Sequence, residues 1–392
     1  MKTSTFRRVA AAAALGLAAT LAAAQPQGVS ASEVVIGTIS DLSGPVAGYG
    51  KDLRNGMLMR VDEINAQGGV HGRRLRLIVE DNGYDPRRTV LAAQKLVNQD
   101  KVFAVIGTFG TVHTLAAVQV QSPKGVYNLF PMSLSRDMYE PVDRLKFALL
   151  SPYFDQLDAV VPPLYKSTNS RRACVIYQDD DFGHEVVQGA ESGLRKAGTQ
   201  IVEKTSFKRG ATDFSSQVAR LKASECDFVV MGTLIRETVG VISEARKLGY
   251  SPVFLSTSSA YTDLIPKLGG KAMDGFYAAT TAVHPYLDDA SEPVRAWAAR
   301  YQSRFTDAPT VFSTYGYTMI DLFAKGLQKN GPQITADSYG RALESMGELP
   351  TDIFGNPPMR FTPTQHLGSN KARLSQLQNG RWKVVLDYDQ FK

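Results

Sequence analysis

Seven short stretches rich in Gly, Ser, Thr, Tyr and Phe carry the residue types that could hold a small organic solute. They are 40–50 (SDLSGPVAGYG), 81–84 (DNGY), 108–112 (TFGTV), 131–134 (PMSL), 178–182 (QDDDF), 233–236 (TLIR) and 256–259 (STSS). Hydroxyls and free backbone N–H groups at helix N-termini can bind a carboxylate, and aromatic rings can cover an apolar body. Each residue taken singly has a plainer role, because Ser and Thr in such places cap helices and Gly serves turns. Only the grouping argues for a binding site.

Motifs for covalent or phosphate chemistry are not found in the sequence. It contains no G-x-x-x-x-G-K-[ST] phosphate loop and no G-x-S-x-G elbow, and the region 44–56 lacks the G-x-G-x-x-G spacing of a dinucleotide fold. His71, His113, His184, His284 and His366 are scattered without H-x-H or H-E-x-x-H spacing, so neither a metal site nor another cofactor is expected. Asp179, Asp180 and Asp181 could ligate a hard cation. The simpler account is a solvated acidic turn in which one Asp caps a helix starting near Gly183.

The binding stretches need elements to hold them in place. Short β-branched runs at 34–40, 74–79, 102–107, 126–130, 173–178, 227–232 and 253–257 alternate with helical stretches. That rhythm implies parallel sheets built from βαβ units, whose loops after the strands' carboxyl ends line the ligand crevice. Leu53, Met57, Val61 and Ile64 recur at three- and four-residue steps and make one apolar helical face, which Gly68-Gly69 ends. A pattern F-x-V-x-G-T occurs at 103–108 and again at 228–233, which suggests two similar α/β lobes. From about residue 284 the rhythm changes to helical stretches near 291–305, 312–329 and 335–347, followed by short strands around MRFTP and RWKVVLDY. The economical arrangement adds those helices to the first lobe and a terminal hairpin to the second. The fold class expected is α/β, with two doubly wound parallel-sheet lobes joined by a multi-strand hinge. The first lobe comprises 33–150 and 284–355, and the second 151–283 and 356–392. A chain that crosses repeatedly between lobes makes a hinge able to close on something.

The opening IGTISDLSGPVAGYGKDLRNGMLMRVDEINAQGGVHGRRLRLIVEDNGYDPRRTV, then AVIGTFGT, YQDDDFGHE, GATDFSSQVARLK and ARKLGY, resembles the type I periplasmic solute-binding proteins of ABC importers, specifically the branched-chain amino-acid (Leu/Ile/Val) binding family. The combination of I-N-A-x-G-G-V-x-G with D-x-x-x-D-P is the specific mark, and the likeness runs over nearly the whole chain after its leader. The resemblance implies a receptor that takes one small solute between two lobes and delivers it to permease subunits of an ABC importer. It also implies that Tyr49 covers the ligand, that Thr111 and Ser133 take a ligand carboxylate, and that Phe182 and Leu234 or Ile235 close over it from the second lobe. Tyr84, Phe109, Met132, Asp181, Arg236 and Ser258, in the same loops, complete the expected site. Amino-acid-binding members carry a carboxylate in the loop matching Ser256-Thr257-Ser258-Ser259-Ala260 to pair with the ligand ammonium; here none is present. Asp179 or Asp181 could replace it, but an aromatic or aliphatic carboxylate, or an amide, fits the set better than a plain α-amino acid. A ligand sensor for a membrane receptor or kinase is the alternative within the same fold, and a secreted α/β enzyme is a third reading.

The N-terminus gives an address. Lys2, Arg7 and Arg8 precede an Ala/Leu run ending near Ala24, the form of a cleaved export signal spanning 1–24, with a second cut available after Ala31. About 16 weakly apolar residues fall short of the 20 or so that a spanning helix uses. No Cys follows the run, so a lipid anchor is not expected, and a periplasmic, monomeric protein is. The formal charge is +6, of which three positive charges lie in the leader, so nothing points to nucleic acid. Cys174 and Cys226 are the only cysteines. In an oxidising compartment they could pair, and two buried thiols would look the same in sequence.

Overall fold

The computed structural model describes residues 26–335 and 337–391; the expected signal segment and the cut after Ala24 lie outside them. The first sheet is built from β1 (Glu33–Ser40), β2 (Arg74–Asp81), β3 (Ala104–Ile106), β4 (Tyr127–Leu129) and β5 (Lys146–Phe147), in the order β2-β1-β3-β4-β5 with every pair parallel. Alternation along β1 shows why both faces need a helix layer. Val34 and Ile36 point into a cluster with Leu53, Met57 and Met319, whereas Val35 and Ile39 point into a second cluster with Ala93, Leu96 and Val97. The first face is therefore covered by α1 (Ala47–Ala66) and α10 (Val311–Asn330), and the second by α2 (Pro86–Asn98) and α3 (Thr111–Gln121).

α1 and α10 pack backbone to backbone. A Cβ added at Gly56 would sit 1.9 Å from the Ser313 carbonyl oxygen, and one at Gly316 would sit 2.0 Å from that of Leu53. Any side chain at either position would force the two helices apart. The late helices α9 (Glu292–Phe305), α10 and α11 (Ser338–Glu344) lie on this lobe although they come after most of the second lobe in sequence.

The second sheet runs β12-β11-β10-β9-β8-β6-β7, formed by β6 (Ala173–Gln178), β7 (Ile201–Phe207), β8 (Phe228–Gly232), β9 (Val253–Ser256), β10 (Tyr277–Thr280), β11 (Arg373–Gln378) and β12 (Arg381–Leu386). It is parallel from β7 to β10 and antiparallel beyond. Its helices include α4 (Tyr153–Ser167), α5 (Asp181–Lys196), α6 (Ser215–Ala223), α7 (Ile235–Lys247) and α8 (Leu264–Gly269). Cys174, on β6, and Cys226, just before β8, form a disulfide with Cα atoms 5.9 Å apart. Of the two states open to them in sequence, the pair takes the bonded one.

The terminal hairpin pairs β12 with RLSQLQ at 373–378, not with MRFTP as expected. Asn379 and Gly380 make the two-residue turn with φ of 53° and 73°, the left-handed pair that a tight hairpin requires. MRFTP instead belongs to the run between lobes and makes only isolated bridges, such as Leu349 with Met359. The hinge is built from such runs. The Ala148 N–H donates to the His366 carbonyl at 2.8 Å, the Gly368 N–H donates to the Ala148 carbonyl at 2.9 Å, and the Val283 N–H donates to the Phe354 carbonyl at 2.9 Å. Among the described residues, no helix is long and apolar enough to cross a membrane.

Candidate functional site

The loops after β2, β3 and β4 meet those after β6, β8 and β9 at one place between the lobes. Eleven residues wall a small enclosed cavity of about 20 Å³: Tyr84, Phe109, Gly110, Thr111, Met132, Tyr153, Phe182, Leu234, Ser258, Ser259 and Phe312. That volume is room for a water molecule or two, so the lobes are closed on each other. None of the eleven is charged.

The polar end is built by α3. Gly110 precedes it with φ 93°, no side chain caps its first turn, and no acid lies there. Its first backbone N–H groups thus have no partner within the helix and carry the positive end of the helix dipole. Beside them the Thr111 and Ser133 hydroxyls are 2.9 Å apart. The third residue of the helix is His113, only 1% exposed, with its ring 4.4 Å from that of Tyr84. Burial pushes its imidazole down to about 4, so it stands neutral behind the wall.

The apolar end is aromatic. Phe182, in the first turn of α5, meets Tyr153 edge-on at 5.0 Å, and Phe109 and Phe312 are 6.2 Å apart. The acidic turn just before Phe182 does structural work: Asp180 accepts from the Gly183 N–H as the cap of α5 and pairs with Arg209 at 2.8 Å.

On the second lobe, Ser258 and Ser259 form part of the cavity wall in the loop after β9. The Ser258 N–H donates to Gln156 Oε1 at 2.9 Å, and Gln156 Nε2 donates to the Ser258 hydroxyl at 3.0 Å. A neutral amide therefore fixes this loop. Glu237, in the first turn of α7, is buried nearby and outside the wall. Burial raises its pKa, and the backbone around Leu234 and Glu237 at the start of α7 opposes that rise.

Of the residues expected from sequence, Tyr84, Phe109, Thr111, Met132, Phe182, Leu234 and Ser258 come together in the wall, with Ser133 bonded to Thr111 behind it. Tyr49 lies one layer deeper than expected. It sits inside α1, its ring stacks on Phe312 at 4.0 Å, and its hydroxyl donates across the lobes to the Ser259 carbonyl at 2.6 Å. Helix α1 starts earlier than the Gly48-Tyr49-Gly50 turn suggested, which rotates the ring inward. Asp181 and Arg236 do not reach the cavity, because the first turns of α5 and α7 point both side chains to solvent. Tyr153 and Phe312 were not foreseen as wall residues. Each begins a helix just after the chain crosses the hinge or turns at its edge, and local spacing does not say which way such a helix points.

A family model described as periplasmic binding protein matches residues 33–381. An amino acid binding protein of Pseudomonas aeruginosa is 28% identical over 241 residues, which is 61% of this chain and 64% of that one. The chain thus spans just under two thirds of the length of the first curated relatives it matches, 64% and 66%. Among solved structures, a fatty acid ABC transporter substrate-binding protein from Thermomonospora curvata superposes with a TM-score of 0.84 at 20% identity, covering 93% of this chain and 94% of that one. An ABC transporter solute-binding protein from R. palustris in complex with benzoate superposes with a TM-score of 0.80 at 16% identity, covering 91% and 96%.

Proposed function

Because the chain belongs to the periplasmic binding protein family, we propose that it is a periplasmic receptor that closes its two lobes on one small organic solute and hands it to the membrane subunits of an ABC importer. The lobes are 33–150 with 284–355, and 151–283 with 356–392. The protein acts as a monomer without a cofactor and performs no reaction, in keeping with the binding-protein family to which it belongs. The solute is a carboxylate, or an amide, with an aromatic or branched aliphatic body and no α-ammonium.

One observation carries this reading: all eleven wall residues are uncharged. The open N-terminus of α3 with the Thr111 and Ser133 hydroxyls suits an anion, and the rings of Tyr84, Phe109, Tyr153, Phe182 and Phe312 suit an apolar body. An ammonium enclosed by the same wall would lack a counter-charge, at a cost of several kcal/mol. The relatives' own solutes differ, being an amino acid in one case, a fatty acid in another and benzoate in a third. The fold accommodates all three, so the wall is what distinguishes them.

Thermal-shift screening of the mature protein against amino acids, aryl acids, branched alkyl acids and their amides tests the proposal. A bound solute at a thousand times its Kd adds about 4 kcal/mol of stability. Stabilisation by a related group of acids or amides is expected. Stabilisation by amino acids alone, or by nothing in the panel, contradicts it.

A further inference from the structure

Two arginines reach across the gap between the lobes in opposite directions. Arg209, of the second lobe, lies 5.5 Å from the centre of the Tyr84 ring of the first. Arg136, in the short helical turn Arg136–Met138 of the first lobe, enters the groove between α4 and α5 of the second. Its guanidinium carbon is 4.0 Å from the centre of the Phe154 ring. Its Nε donates to Glu185 Oε1 at 2.9 Å, while Nη2 donates to Glu185 Oε2 at 3.3 Å and to Gln188 Oε1 at 2.5 Å. Glu185 is only 7% exposed, whereas the Arg136 side chain keeps 31% of its surface.

This arrangement differs from an ordinary surface ion pair. The fork is bidentate, a third acceptor fixes its plane, and an aromatic face stacks on it, each of which strengthens a guanidinium contact. Arg136 stays partly hydrated, so closure desolvates mainly one of the two charges. Every one of these contacts joins one lobe to the other and is lost when the lobes part. The Tyr49 hydroxyl bond to the Ser259 carbonyl, also between lobes, adds to the same set.

We propose that the Arg136 clasp makes the closed arrangement a populated state of the protein before any solute is bound. The clasp lies outside the cavity wall, so it acts on lobe closure whichever solute the cleft takes. Opening is then a step that precedes solute entry, and the strength of the clasp sets how often it occurs.

Pulsed electron paramagnetic resonance on the mature protein tests this. Spin labels are carried by Leu91→Cys on the first lobe and Leu268→Cys on the second, positions 64% and 65% exposed. Solute is stripped by unfolding, dialysis and refolding, and near-UV circular dichroism verifies the fold of every variant. The solute-free protein should show a short-distance population beside a longer one. Arg136→Met should lower the closed-to-open ratio at least tenfold, and the isosteric Glu185→Gln should lower it in the same direction. A single long-distance population in the unsubstituted protein, or a closed population that survives both substitutions, overturns the proposal.

Discussion

The two F-x-V-x-G-T segments end in loops that open α3 in the first lobe and α7 in the second, yet the two helix N-termini differ in charge. α3 begins after Gly110 with no acid in its first turn, and its third residue is the neutral His113. α7 begins after Leu234, and its third residue is Glu237, a buried acid in its first turn. One helix end carries no acid of its own in its first turn, and the other carries a buried one, so their attraction for an external anion differs. In the proposed reading, related segments in two lobes thus take different parts, the first lobe anchoring the solute and the second covering it.

The largest expected effect concerns stability and falls on the second lobe alone, since the only disulfide lies there. Replacing both cysteines, Cys174→Ser with Cys226→Ser, opens a loop spanning 52 residues. In the chain-entropy account that costs about 4 kcal/mol. Guanidinium unfolding should then show the second lobe melting ahead of the first, and a single shared transition at the original midpoint would refute the difference.

Next comes the charge exchange. His113→Glu places a carboxylate at the third position of α3, as Glu237 does in α7, and should weaken binding of the best acid from the screen by about 100-fold or more. Glu237→Gln should leave that affinity within about threefold. Thr111→Val, which removes one hydroxyl from the proposed anchor, should cost about 1–2 kcal/mol of affinity, whereas Thr233→Val, in the second lobe's own F-x-V-x-G-T segment, should cost the solute nothing. Isothermal titration reads all four, and equal losses at Thr111 and Thr233 would erase the distinction between lobes.

The smallest effect is in pH dependence. His113 and His284 are held near 4 by burial, so the folded protein binds fewer protons than the unfolded chain between about 4 and the ordinary histidine value. Their contribution is complete at neutral pH and is lost as pH falls through that window. Asp52 opposes it. Burial raises its pKa to about 7, so its contribution is present at low pH and declines as pH rises from about 4 towards 7. Asp52→Asn should therefore be more stable than the unsubstituted protein at pH 8 and no more stable at pH 4 in urea unfolding.

Much of this was legible in the sequence wherever local chemistry decides structure. Asp85-Pro86 announces α2: Pro86 opens the helix and the Asp85 side chain accepts from the Arg88 N–H. Strands buried on both faces read as continuous apolar runs. Asn379-Gly380 was an equally local turn signal and would have placed the final hairpin correctly. What could not be read depends on distant packing. The early start of α1 turns Tyr49 inward, and the ring it then stacks on, Phe312, is far away in sequence. Tyr153 reaches the cavity only because the hinge aims α4 at it. The cysteine pair needed the parallel neighbours β6 and β8 to bring Cα atoms within bonding range.

The most direct test of an anchor without an ammonium partner is calorimetric titration with matched acids, 3-phenylpropanoate beside L-phenylalanine and 4-methylpentanoate beside L-leucine. Each pair shares a carboxylate and a body and differs by the α-ammonium. The uncharged wall predicts that the acid binds at least tenfold more tightly than its amino acid in the better-bound pair. An amino acid that binds more tightly than its matched acid would contradict the account.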